Sequence, residues 1–240
     1  MTKVVAVVPA AGLGSRFAQG RRKTFHMLSG KPVVAHVLET FQNCGAIDEI
    51  VPVFRADELP EGEKIAKSFG ITKAKTFVAG GRERQDSIYN ALKTISDGNA
   101  VVAIHDGARP LITQDVIVRC ISGLNGCDGV IAAVPVKDTI KEAVGSRQSA
   151  VDSPDEQIIV SKTLDRSVLW SVQTPQIFVC DRIKEAYNKA FDEGFYATDD
   201  AALLERYGGK VRMVMGDYKN IKITTAEDIP LAEALLKQCG

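Results

Sequence analysis

Five consecutive apolar residues, Val4-Val5-Ala6-Val7-Val8, stop at Pro9 and give way to the small-residue turn Ala10-Ala11-Gly12-Leu13-Gly14. A short run of this kind predicts a buried parallel strand feeding a loop. Further apolar runs over 49–54, 75–78, 100–105, 129–134 and 211–215 predict more strands. Between them, apolar residues spaced three and four apart predict helices over 32–43, 61–69, 84–95, 115–124, 182–191, 199–207 and 226–237. Such alternation makes βαβ crossovers, so the expected fold is α/β: a Rossmann-like, mostly parallel sheet with helices on both faces. Helix starts agree: Thr113 precedes one, Thr198 with Asp199-Asp200 opens another, and Thr224 with Glu227 has the spacing of a capping box.

The alternation fails between Lys137 and Leu169. Two short extended runs, 139–144 and 157–163, flank a polar Gly/Ser/Pro/Asp-rich tip, which predicts a projecting β-hairpin arm at about 138–168. A two-stranded arm cannot stand alone in water, so it serves as a dimerisation device or remains a surface loop. Residues 1–240, arm included, read as a single domain.

Composition narrows the function classes. The chain has 240 residues, 45% of them hydrophobic and 25% charged, enough to bury one large core. Its 30 basic and 30 acidic residues balance, so no global field favours nucleic acid or a membrane surface, and any phosphate binding must be local. Five cysteines with no Cys-x-x-Cys pair point to reduced thiols rather than a disulfide framework or a zinc site. With no run long enough to span a bilayer and a strand starting right after Lys3, the expectation is a cytoplasmic protein.

The first turn carries the chemistry. Ala10, Ala11, Gly12 and Gly14 present little side chain, so backbone N–H groups there can approach a phosphate; Arg16 and Lys23 add cations. A dinucleotide fingerprint is excluded because Phe17 stands at its third glycine, and a Walker loop because Gly20 is followed by Arg21-Arg22. The bare pattern fits a phosphate cradle or a plain strand-to-helix connection equally. Polar residues recur where other strands end: Gly80-Gly81 through Ser87, His105-Asp106-Gly107-Ala108-Arg109, Lys137-Asp138-Thr139 and Asn220-Ile221-Lys222. In open α/β sheets those ends share one crevice. His105 reads as a satisfied structural histidine and Trp170 as core or interface.

The combination of Pro9-Ala10-Ala11-Gly12-x-Gly14-x-Arg16 with Lys23, Gly80-Gly81 with Arg84-x-Asp86-Ser87, His105-Asp106-x-Ala108-Arg109-Pro110, Thr174-Pro175-Gln176, Thr198-Asp199-Asp200 and Asn220-Ile221-Lys222 resembles the 2-C-methyl-D-erythritol 4-phosphate cytidylyltransferase family over nearly the whole chain. The resemblance implies transfer of a cytidylyl group from CTP to methylerythritol phosphate with Mg²⁺, by a homodimer. It implies that Arg16, Lys23 and Lys222 are catalytic cations on the triphosphate. It assigns Ala10, Ala11, Gly12, Gly14, Gly81 and Ser87 to the nucleotide, and Asp106 to ribose or to Mg²⁺. Arg109, Thr139, Thr174 and Thr198 would bind the acceptor, and Arg166 would reach the acceptor phosphate in the neighbouring subunit.

The chain departs from the family pattern in having Lys23-Thr24-Phe25 where Lys-Gln-Tyr is usual, Gly107 for a frequent alanine, and a longer stretch from Thr139 to Arg166. Two other readings share the same CTP cradle: transfer to another polyol phosphate such as ribitol phosphate, and a catalytically silent nucleotide-binding module.

Overall fold

Alternate residues of β1 (Val4–Pro9) feed two different cores. Val4, Ala6 and Val8 join one buried cluster while Val5 and Val7 join the other, as the two-residue period of a strand requires. The computed structural model describes residues 2–12, 23–144 and 158–237.

Seven strands form the sheet in the order β11 (Val211–Met215), β7 (Gly129–Pro135), β10 (Trp170–Val179), β6 (Val101–Ile104), β1, β4 (Glu49–Phe54) and β5 (Val78–Ala79). Every pairing is parallel except the two that β10 makes with β6 and β7. Helices α1 (Val33–Asn43), α2 (Leu59–Ser68) and α4 (Gln114–Ser122) cover one face, contributing Val34, Phe41, Ala66 and Ile117 to its core. Helices α3 (Arg84–Thr94), α5 (Cys180–Asp192) and α6 (Asp200–Arg206) cover the other with Ile88, Leu92, Ile183, Tyr187 and Leu203. A third, smaller cluster joins α7 (Asp228–Lys237) to the small hairpin β2 (Met27–Leu28) and β3 (Lys31–Pro32) through Leu28, Val33, Leu111, Ile223 and Ala232. It packs beneath the segments that follow Lys23 and Lys222.

The central strand β10 was not expected from sequence. Pro175 and the polar run Gln173-Thr174-Pro175-Gln176 argue against an interior strand. The sheet accommodates them by slipping register between Val172 and Gln176 on the β7 side. The polar side chains there are buried and hydrogen-bonded rather than solvated.

The expected arm is present. β8 (Lys141–Val144) and β9 (Ile159–Thr163) pair antiparallel, and all their residues are exposed, including Val144, Ile159 and Val160. Its tip, 145–157, lies outside the described residues. Two helix starts differ from expectation. Asp199, not Thr198, caps α6 by accepting from the Ala202 N–H at 2.9 Å. Before α7, Asp228 rather than Glu227 takes the Thr224 and Thr225 amides, at 2.7 and 2.9 Å. A carboxylate accepts these donors more strongly than a hydroxyl does.

Candidate active site

The carboxyl ends of β1, β4, β5 and β6 are stitched together by backbone hydrogen bonds. The Ala10 N–H donates to Val53 O at 2.7 Å, Gly80 N–H to Phe54 O at 2.7 Å, and Gly107 N–H to Pro9 O at 3.0 Å. Close approach favours glycine where these turns meet, most sharply at Gly80. A Cβ at Gly80 would lie 2.5 Å from Ala11 Cβ and 2.9 Å from Ser87 Oγ. At Gly107 it would lie 3.1 Å from both Ala10 Cβ and Pro9 O, so an alanine there needs the Pro9-Ala10 turn to move by a few tenths of an ångström.

These turns enclose a cavity of about 690 Å³. Ala10, Ala11 and Gly12 line one wall, Gly80, Gly81 and Ser87 another, and Lys23, Asp106 and Lys222 also line it. The second wall is held rigid: Ser87 Oγ accepts the Gly81 N–H at 3.1 Å and donates to Glu83 O at 3.0 Å.

Asp106 is the electrostatic centre. Its Oδ1 accepts Arg84 Nε at 3.0 Å and its Oδ2 meets Lys222 Nζ at 2.7 Å, with Arg109 Nε 3.9 Å from Oδ2. Burial alone would raise this carboxyl, but Arg84, then Lys222 and Arg109, outweigh it and hold the group well below the usual carboxylate range. Arg84 in turn grips Asp200 with both terminal nitrogens, at 3.0 and 2.8 Å, and the Tyr187 hydroxyl donates to Asp200 Oδ1 at 2.5 Å. Although burial opposes its charge, Asp200 and Asp106 lift the Arg84 guanidinium above its ordinary value. Burial lowers Arg109, against the pull of Asp106; its Nη1 donates to Asn220 O at 2.8 Å, while its buried Nε has no hydrogen-bond partner among the described residues.

A second buried set lies behind the carboxylate. The Asp106 N–H donates to Thr174 Oγ1 at 3.1 Å, Thr174 Oγ1 is 3.0 Å from His105 Nδ1, and His105 Nε2 is 3.2 Å from Arg109 O. Burial pushes the His105 imidazole down to about 4. At neutral pH it is therefore uncharged, the satisfied structural histidine that the sequence indicates. Trp170, at the start of β10, is partly exposed.

The model of the 2-C-methyl-D-erythritol 4-phosphate cytidylyltransferase family matches residues 4–238. The chain belongs to this family. It is 44% identical over 238 residues to the protein of that name from Geotalea uraniireducens, covering 98% of this chain and 97% of that one. The relative of the same name from Syntrophus aciditrophicus is 43% identical over 237 residues, with the same coverage. Among solved structures, the 4-diphosphocytidyl-2C-methyl-D-erythritol synthase of Anaerococcus prevotii superposes with a TM-score of 0.83 at 31% identity, covering 98% of this chain and 96% of that one. The Thermus thermophilus 2-C-methyl-D-erythritol 4-phosphate cytidylyltransferase gives 0.77 at 26% identity, covering 98% and 100%.

Of the residues singled out in the sequence, Ala10, Ala11, Gly12, Lys23, Gly81, Ser87, Asp106 and Lys222 converge on the cavity of this family member. Gly14 and Arg16 lie outside the described residues. Arg109 and Thr174 do not line the cavity but meet its Asp106, Thr174 by accepting the Asp106 N–H and Arg109 with its Nε 3.9 Å from Oδ2. Thr139, Arg166 and Thr198 are exposed and are not brought to the cavity within one chain; Arg166 Nη1 donates to Lys137 O at 2.8 Å at the base of the arm. Sequence reasoning gave no role to Arg84, Asp200 or Asn220, although each lies inside a quoted motif. Its only signal was a charged or amide side chain beside a strand end.

His105 sets a pH dependence of stability. An unfolded histidine titrates near 6.5, so between about pH 6.5 and pH 4 the unfolded chain binds a proton that the folded chain refuses. Stability contributed by neutral His105 is present above that window and is lost as pH falls through it. Asp106, whose pKa is depressed, loses its contribution only at more acid pH. Urea unfolding at pH 7 and pH 4.5 should show a loss about 2–3 kcal/mol larger in the native protein than in His105→Gln. Equal losses in the two would contradict the burial of a neutral imidazole.

Proposed function

We infer that this chain transfers the cytidylyl group of CTP to 2-C-methyl-D-erythritol 4-phosphate, releasing pyrophosphate. The observation that carries the reading is the convergence of Lys23 and Lys222 on one cavity walled by bare backbone turns, in a chain that matches this family from end to end. A nucleotide binder needs the turns; two ammonium groups at the same cavity serve phosphoryl chemistry.

An acceptor phosphate oxygen attacks the α-phosphorus of CTP; the new P–O bond forms as the bond to the bridging oxygen of pyrophosphate breaks. The acceptor monoester is ionised near neutral pH, its second pKa being about 6, so no general base is needed. What the protein supplies is positive charge in fixed positions. Lys222 is oriented by Asp106 and has three donors, of which that carboxylate takes one; the others face phosphate oxygens. Lys23 and Arg16 hold the triphosphate and meet the charge that grows on it. Backbone groups at Ala10, Ala11, Gly12, Gly14 and Gly81, with Ser87, hold the nucleotide. Arg109, 3.9 Å from Asp106, takes an acceptor oxygen, and Thr139 and Thr198 complete that side.

The surroundings of Asp106 do not fit a resident Mg²⁺. Its two oxygens are engaged by Arg84 and Lys222, with Arg109 close by, so a dication there would sit among three positive charges. A divalent ion would enter as the counter-ion of the CTP phosphates, whose hard oxygens suit it. Asp106 acts instead on the cations of the protein and on the ribose.

The arm supports a homodimer. Val144, Ile159 and Val160 on its strands, with Ile158 and Val168 beside them, are more than half exposed, an apolar surface that a lone hairpin does not leave in water. In such a dimer Arg166 would reach the partner's acceptor site. Cys44, Cys120, Cys127 and Cys180 are free thiols, in keeping with a cytoplasmic location, and no described helix is long and apolar enough to cross a membrane.

Pyrophosphate release from CTP, methylerythritol phosphate and Mg²⁺ tests the activity. We expect turnover with this acceptor above that with ribitol phosphate; the reverse preference, or CTP binding without release, would refute the assignment. In Lys23→Ala, kcat should fall on the order of 10²–10³-fold while CTP affinity changes far less. Equal losses would make Lys23 an anchor only.

For the arm, replacing Ile159 and Val160 by Asp should convert a dimer to a monomer in sedimentation and abolish most turnover. A fully active monomer would contradict the role of Arg166 in trans.

A further inference from the structure

Four buried or half-buried residues from three separate segments close a ring of hydrogen bonds behind the cavity. His105 Nε2 meets Arg109 O at 3.2 Å, and Arg109 Nη1 donates to Asn220 O at 2.8 Å. Asn220 Nδ2 donates to Thr174 O at 2.8 Å, and Thr174 Oγ1 returns to His105 Nδ1 at 3.0 Å. The end of β6, the register slip in β10 and the loop before Lys222 are thus tied to one another.

The chemistry of the partners fixes every proton in the ring. A backbone carbonyl can only accept, so His105 must carry its hydrogen on Nε2 and leave Nδ1 bare. Bare Nδ1 then accepts the Thr174 hydroxyl proton. With its proton spent inward, the Thr174 oxygen keeps its lone pairs, and one of them accepts the Asp106 N–H at 3.1 Å. The imidazole is wholly buried, and its ring lies 5.3 Å from that of Phe41, so it has no freedom to exchange these partners for water.

We propose that His105 is a positioning residue for the transfer: as the Nε2–H tautomer it orients Thr174, and through Thr174 and Arg109 it sets Asp106 and the Asn220–Lys222 loop in register. The proposal rests on the functional reading above and adds to it a residue that touches neither substrate. It also assigns the Thr174 hydroxyl to the protein rather than to the acceptor. Because Asp106 holds Lys222 at 2.7 Å, a slip at the ring displaces the ammonium that faces the phosphate. Misplacements of about 1 Å cost on the order of 10² in rate.

Two experiments test it. In the unmodified protein, ¹⁵N NMR of the histidines at pH 7 should show His105 protonated on Nε2 and bare on Nδ1; the opposite tautomer would overturn the proposal whether or not any variant folds. In kinetics, His105→Phe should lower kcat roughly 10- to 100-fold and leave KM for CTP within about threefold. His105→Asn, which keeps an acceptor near the place of Nδ1, should recover most of that loss. Thr174→Val should match His105→Phe, and the double variant should be no worse than either single one. Additive losses would mean that Thr174 serves the substrate independently, and parallel changes in kcat and KM, or no rescue by Asn, would reduce His105 to packing; each result would sink the proposal. Absence of pyrophosphate release in the unmodified protein would instead defeat the functional reading, and the tautomer spectrum would still judge the ring.

Discussion

A single buried carboxylate surrounded by three cations is the constraint around which this molecule is arranged. Asp106 is almost inaccessible, and an ionised carboxylate in such a place is tolerable only if opposite charges and hydrogen bonds replace its water. Arg84 comes from the start of α3, Arg109 from the turn after β6 and Lys222 from the loop after β11. Bringing them together forces three distant parts of the chain to meet at one end of the sheet. The arrangement also leaves excess positive charge facing the cavity, which a triphosphate can use.

The sheet supplies that meeting place because its parallel strands all end on the same side. Their N–H groups and small residues form walls, and side chains just past each strand point into the gap. β10 runs the other way, between β6 and β7, and delivers a different kind of part. At its register slip it presents Gln173, Thr174 and Gln176 inward, where each is hydrogen-bonded to a neighbouring loop or helix: Gln173 to Asp217, Thr174 to His105, Gln176 to Asp199. Irregular backbone in the middle of a sheet is costly unless its polar groups are satisfied, and here all three find partners. The cost is offset by tying together the segments around the cavity.

Much of this was legible in the sequence, for physical reasons. Strands such as β1 and β4 are apolar on both faces, and helices such as α1 and α5 keep a helical spacing of buried residues, so their periodicities announced them. The exposed arm was visible as a break in alternation. β10 was hidden because Pro175 and the polar neighbours that bond to surrounding loops are the ones that disguise a strand. The cavity residues were found through motifs beside strand ends. The Arg84–Asp200 pair was not, since its members lie 116 positions apart and nothing local links them. Thr139, Thr198 and Arg166 were assigned by resemblance alone, and within one chain the fold leaves them at the surface.

The charge of Asp106, rather than its shape, holds Arg84, Arg109 and Lys222 in place. The most direct measurement is kcat for pyrophosphate release at saturating CTP in Asp106→Asn, whose side chain has the same size without the charge. We expect a fall on the order of 10²–10³-fold in protein that remains folded, since Lys222 loses the partner that aims it. A kcat within about twofold of the unmodified protein would contradict it.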